Sequence, residues 1–197
     1  GFKWSLVSLP DHLGVQNVGG RIGAAFGPRA FRESFLRWSG CAPDKTPLKE
    51  SLHREFELSP DSTNIEENHE TATELVREAA TGADRTVVVG GGHDHGYSQL
   101  LGIRRALGPD ARIGCVNIDA HLDLRKPSPR ISSGSPFYLA IENRVIRGPD
   151  LVEFGIQTIA MLRNFELNPL HDIGVRTARL ASTCAFHFLE NARDIRL

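Results

Sequence analysis

Short apolar runs alternate along this chain with longer amphipathic stretches. Trp4 to Leu9, Thr86 to Val89, Ile113 to Ile118, Leu151 to Ile156 and Ile173 to Val175 have the length and apolar content of buried strands. Between them the period changes. Within Asn68 to Ala80, the residues Ala72, Leu75, Val76 and Ala79 recur at i, i+3, i+4 and i+7 and predict a helix with one apolar face. Proline is favoured in a first turn, so Gly27-Pro28 opens a helix that is expected to run through Arg37. Further helices are predicted over Tyr97 to Leu107 and Leu180 to Ala192. Strand and helix in alternation imply βαβ units, so the expected class is α/β: a mainly parallel, doubly wound sheet in a three-layer α/β/α arrangement. Such sheets place ligands at the carboxyl ends of their strands. Pro43 to Glu67 is polar, with the turn cluster Ser59-Pro60-Asp61-Ser62, and is expected to be a surface excursion.

The 197 residues, 40% of them hydrophobic, suffice for one domain with a continuous core, and a single domain over residues 1–197 is the expectation. Lysine and arginine number 23 against 24 acidic residues, a net charge of -1 that gives no electrostatic case for nucleic acid or an anionic membrane surface. Small neutral or zwitterionic ligands fit better. Cys41, Cys115 and Cys184 are widely spaced and form no CxxC pair, which points away from a disulfide framework and a zinc knuckle and towards a reducing compartment. No apolar run approaches the roughly 20 residues of a spanning helix, and Gly1 to Leu9 lacks the layout of a signal peptide. A cytoplasmic protein is expected. The chain starts without methionine and stops at Leu197 after a charged, helix-like run, so continuation past Leu197 is expected as well.

The candidate chemistry lies at two predicted strand ends. In Val116-Asn117-Ile118-Asp119-Ala120-His121-Leu122-Asp123, three metal-capable side chains follow an apolar strand at i, i+2 and i+4, one face of an extended backbone. Carboxylates and imidazole converging there, without thiolates, suit a divalent metal such as manganese. Alternating polar residues of this kind also occur on exposed edge strands, but the apolar run before the motif argues against that origin. The second element, Val87-Val88-Val89-Gly90-Gly91-Gly92-His93-Asp94, runs an apolar strand into a glycine turn that presents His93 where a helix begins. Glycines there let backbone approach a bound group. A phosphate loop is the rival, but no lysine followed by serine or threonine succeeds the glycines, and Gly90, Gly92 and Gly96 miss the dinucleotide spacing. Alone, His93 reads as a structural turn histidine; beside a second ligand-bearing strand end it reads as a metal ligand. His95 is open to a supporting role, a substrate contact or plain solvation, and solvation is the expectation. His12, His53, His69, His171 and His187 lack an acidic or histidine partner at ligand spacing and read as surface or satisfied core.

These residues resemble the ureohydrolase superfamily of arginase, agmatinase and formimidoylglutamase, whose members carry a Gly-Gly-x-His turn and an Asp-Ala-His-x-Asp strand end. Both stand here, as Gly90-Gly91-Gly92-His93 and Asp119-Ala120-His121-Leu122-Asp123. Leu9 to Val15 and Gly19 to Pro28 resemble the same family's opening, so the likeness covers about residues 4 to 156. The loop Ser132-Ser133-Gly134-Ser135-Pro136-Phe137 resembles the Ser-Gly-Thr-Pro-Phe element of the formimidoylglutamase branch; arginases carry a proton-moving histidine where Phe137 stands. Tyr138 departs from that branch, which often has arginine there.

The resemblance implies an arginase-like fold, two manganese ions, and hydrolysis of a linear amidine, N-formimidoyl-L-glutamate to L-glutamate and formamide. It implies that His93 and Asp123 bind one metal, His121 the other, and Asp119 both, with Ser133 and Ser135 holding the amino acid end of the substrate or capping a turn. It also implies a homo-oligomer. The family completes its site with a Ser-x-Asp-x-Asp strand, and no Asp-x-Asp occurs in this sequence. Leu180 to Leu197 read as the approach to that strand. An arginase- or agmatinase-type enzyme, a mononuclear metal module and a metal-deficient relative keeping the fold stay open as alternatives.

Overall fold

The computed structural model describes residues 2–35, 37, 48–157 and 175–178. The chain divides into two compact units, Gly1–Ala111 with Leu124–Ala140, and Arg112–Asp123 with Ile141–Leu197. The elements are β1 (Trp4–Leu9), α1 (Leu13–Gln16), α2 (Gly27–Phe35), β2 (Leu52–Glu57), α3 (Ile65–Ala80), β3 (Arg85–Gly90), α4 (His95–Leu107), β4 (Cys115–Ile118), α5 (Pro136–Glu142), β5 (Leu151–Phe154) and β6 (Arg176–Ala178). Among the described residues every strand pairing is parallel, and helices flank the strands, as the alternating pattern implied. Among the described residues no helix is long and apolar enough to cross a membrane.

The first unit is built on a sheet of order β2-β1-β3. All six residues of the central strand β1 are buried, which is why they form an unbroken apolar-rich run. The edge strand β2 lies inside the segment expected to be a surface excursion. Its residues Leu52-His53-Arg54-Glu55-Phe56-Glu57 alternate between half-buried and exposed, so an edge strand with charges on its outer face resembled a polar loop. Helix α3 starts at Ile65, three residues before the apolar stripe suggested. Asn64 caps it by accepting the Glu67 N–H at 3.1 Å, while its Nδ2 donates to the Glu67 carboxylate at 3.1 Å. The core gathers Val7, Leu9 and Leu58 from the sheet side with Ala72, Val76 and Ala79 of α3. Gly102 lets α4 lie close to α3, because a Cβ there would meet the Thr73 carbonyl at 2.6 Å. Helix α2 is described to Phe35, short of the expected Arg37.

The second unit carries the sheet order β4-β5-β6. Its β4 differs from the uniformly buried strand expected at Ile113 to Ile118. Val116 is 54% and Ile118 76% exposed, whereas Asn117 between them is buried and donates to the Glu153 carboxylate of β5 at 2.8 Å. On β4 the buried position is thus the polar Asn117, while β5 buries Leu151 and Val152 beside Glu153. Asp150, just before β5, accepts from Arg147 Nε at 2.6 Å and from Arg112 Nη2 at 2.8 Å. Strand β6 begins at Arg176; residues 173 and 174 of the expected Ile173–Val175 strand, and the helix expected over Leu180 to Ala192, lie outside the described residues.

Candidate metal centre

In the first unit the glycine turn after β3 rests on the end of β1. The Gly91 N–H donates to Leu9 O and the Gly92 N–H to Asp11 O, both at 2.8 Å. The approach is so close that a Cβ on Gly91 would stand 1.9 Å from the Asp11 carbonyl oxygen. His93 emerges exposed from this turn, and its ring meets Phe137 edge-on at 5.8 Å between centroids and 70° between planes.

Around His93 the structure places a buried polar network that sequence spacing did not reveal. Asp94 is fully buried and its Oδ2 accepts from His69 Nε2 at 2.8 Å. Gly14 and Gly92 flank the same carboxylate, each so close that a Cβ would lie 2.1 Å from Oδ1. His95, expected to be solvated, is 3% exposed; its Nε2 donates to Asp11 Oδ2 at 3.1 Å, and Ser98 Oγ lies 3.3 Å from its Nδ1. Asp11 also accepts from the Leu13 N–H at 2.9 Å and from Asn68 Nδ2 at 3.2 Å. Burial pushes the Asp11 carboxyl up, but the hydrogen bonds from His95, Leu13 and Asn68 outweigh it and hold the group below its ordinary value. The rings of His69 and His95 stack at 4.8 Å. One signal for His69 was present: it falls on the buried stripe of α3 together with Ala72, Thr73 and Val76.

The loop 132–137 belongs to the same unit. Ser135 is enclosed: its Oγ accepts from the Ser132 N–H and donates to Ser132 O, both at 3.0 Å. Ser133 donates its N–H to Gly14 O at 2.9 Å, so the loop is tied to α1. Pro136 opens α5, a short helix absent from the expected elements.

In the second unit Asp119 extends the β4–β5 pairing by donating its N–H to Phe154 O at 3.0 Å. Its Oδ1 accepts from the His121 N–H at 2.8 Å and from His121 Nδ1 at 2.9 Å, so carboxylate and imidazole are held together just past the strand. The extended run expected to put Asp119, His121 and Asp123 on one face is not formed: the strand ends at Ile118, residues 119–121 bend as the Asp119 carboxylate accepts the His121 N–H, and Asp123 takes a left-handed backbone, φ 48°. His93 thus stands at a strand end of the first unit, and Asp119, His121 and Asp123 follow a strand end of the second.

Parallel sheets with flanking helices and metal-capable residues past the carboxyl ends of their strands define an α/β protein of the ligand-at-strand-end type. The particular family is clear from comparison: the sequence pattern of the arginase family matches residues 3–164, and the chain belongs to that family. Similar proteins include the formimidoylglutamase of Geobacillus thermodenitrificans, 33% identical over 63% of this chain and 37% of its own. That of Lysinibacillus sphaericus is 36% identical over 66% of this chain and 39% of its own. The chain therefore spans well under half the length of these curated relatives. A Trypanosoma cruzi formiminoglutamase solved with Mn2+ superposes with a TM-score of 0.79 at 27% identity, covering 98% of this chain and 66% of that one. The Bacillus subtilis formimidoylglutamase, at 17% identity and a TM-score of 0.80, covers 98% and 60% and shares the fold.

Proposed function

We propose that this chain is part of a manganese-dependent hydrolase of linear amidine C–N bonds, converting N-formimidoyl-L-glutamate and water to L-glutamate and formamide. The observation that carries the reading is the edge-on contact of Phe137 with His93. The position where arginases carry a proton-moving histidine here holds an aromatic ring against the candidate ligand, and the ring can exclude water but not shuttle a proton. The names of the similar curated proteins support the same branch.

His93, Asp119, His121 and Asp123 are the proposed ligands, in a single domain of the family's type. The donor set fits manganese, being oxygen and imidazole without thiolate, and the Asp119–His121 contact already keeps two donors side by side. Two ions are proposed, as in the family pattern. When bound, manganese supplies activation of water for attack on the amidine carbon. A site carboxylate is the group available to pass a proton to the departing nitrogen. Ser133 and Ser135 are proposed to shape the loop that receives the amino acid end, Ser135 from inside it. A cytoplasmic homo-oligomer acting on a small molecule is proposed with this activity.

The test is a side-by-side assay of N-formimidoyl-L-glutamate, arginine and agmatine with manganese-loaded protein, detecting glutamate, urea and putrescine directly. Glutamate should dominate. Urea or putrescine would move the chain to another branch, and no product from any substrate would overturn the proposed activity. Asp119→Asn should abolish activity, because a proposed metal ligand without its charge would hold the cation poorly; surviving turnover would detach the chemistry from the metal.

A further inference from the structure

We infer that His69 is a positioning residue for His93: through Asp94 it holds the turn that presents this proposed metal ligand. The inference rests on the metal reading above. Asp94 directly follows His93 in the chain, so whatever fixes its side chain restrains the backbone from which His93 projects. Its carboxylate is closed in on three sides, by His69 Nε2 at 2.8 Å and by the backbones of Gly14 and Gly92. His69 is itself immobilised, lying on the buried face of the 16-residue helix α3 with its carbonyl accepting from Thr73 Oγ1 at 2.7 Å. A second tie runs in parallel. His95 holds the Asp11 side chain at 3.1 Å, and Asp11 O receives the Gly92 N–H at 2.8 Å. The turn is therefore pinned on both flanks of His93 to two different stretches, the chain just past β1 and helix α3.

The chemistry of the pair says what it is for. A buried carboxylate must have a donor, and an imidazole provides one N–H along a fixed line while lying flat on the His95 ring at 4.8 Å. Compared with an apolar pair of the same shape, such a buried polar pair contributes little net stability. What it adds is direction, which matters most one residue away from a ligand.

The experiment is equilibrium Mn2+ binding by the full chain, with stoichiometry, for the wild type and for His69→Leu, His69→Gln, His93→Ala and the double variant His69→Leu/Asp94→Leu. His69→Leu should weaken binding about tenfold or more without changing the number of ions bound, the usual cost of losing a residue that orients a ligand. His69→Gln, whose amide N–H can reach Asp94, should recover most of that loss. Should His69→Leu fail to fold, the double variant removes both partners and leaves no unpaired carboxylate buried, and it should show the same weakening. Wild-type affinity in His69→Leu or in the double variant, with only a lowered melting temperature, would reduce His69 to a structural role and overturn the inference. Loss of a whole ion in His69→Leu would also overturn it, making His69 a ligand itself. If His93→Ala loses Mn2+ while His69→Leu keeps it, positioning falls and the metal reading stands. Wild-type affinity in His93→Ala would bring down both.

Discussion

Substituting Gly91 by alanine should be among the most damaging single-methyl additions to this protein. The new Cβ would sit 1.9 Å from Asp11 O, 2.9 Å from its carbonyl carbon and 3.1 Å from its nitrogen, where real Cβ contacts do not come within 3.0 Å. The obstacle is the backbone of Asp11, two residues past β1, not a side chain that can swing away. Relief requires separating the turn from β1, and with it the two 2.8 Å bonds from Gly91 N–H and Gly92 N–H. Each bond contributes about 0.5–1.5 kcal/mol, and overpacking costs about 1–3 kcal/mol. The two costs overlap, since moving the turn relieves one while incurring the other, so a loss of about 3 kcal/mol is expected, or about 6–12 °C in melting temperature for a chain of this size. Gly27→Ala is the control. That residue has helical angles, φ -57° and ψ -48°, and its added Cβ meets only Gly90 O, at an ordinary 3.6 Å. It should gain about 0.4–1 kcal/mol by restricting the unfolded chain. The assay is a pair of calorimetric or circular-dichroism melts. A Gly91→Ala protein melting within about 1 °C of the wild type would mean the turn does not lie on β1 and would refute the reasoning.

Two further outcomes follow from the second unit. Burial, with the nearby Glu153 charge second, pushes the Cys115 thiol up to about 11 from its usual 9.0, so alkylation at pH 8 should be far slower than at an exposed cysteine, as peptide-resolved mass spectrometry would read. Because the folded value is the higher one, its contribution to stability is present below pH 9.0 and is lost as pH rises towards about 11; rapid alkylation at pH 8 would contradict the burial. The Arg147 hydrogen bond, with help from Arg112, outweighs burial and holds the Asp150 carboxyl below its ordinary value. Asp150→Asn should cost about 1–2 kcal/mol in urea unfolding at pH 7, since one buried partner meets two exposed arginines. The depressed folded value means that this difference is present above the unfolded aspartate value of about 4 and disappears as pH falls through the folded one; an equal difference at pH 7 and at pH below about 3 would refute it.

Much of the frame was legible in the residues themselves. Trp4 to Leu9 matches β1 residue for residue, since a strand buried on both faces leaves an apolar-rich signature even with Ser5 and Ser8 in it, and α3 announced itself through the 3.6-residue repeat of Ala72, Val76 and Ala79. The glycine turn before His93 and the Asp119-x-His121 spacing past β4 were visible because each is local: a few consecutive residues carry the whole geometry. The strand β2 was not visible, because an edge strand needs burial on one face only and its outer positions, His53, Glu55 and Glu57, read as loop. The buried network escaped for a different reason. His69 and Asp94 are 25 residues apart and Asp11 and His95 are 84 apart, so no window along the chain contains the partners. Composition sees four ordinary polar residues there. Only the docking of α3 and the glycine turn onto the end of β1 converts them into paired, water-excluded groups, because a hydrogen bond between distant residues is decided by packing and not by spacing.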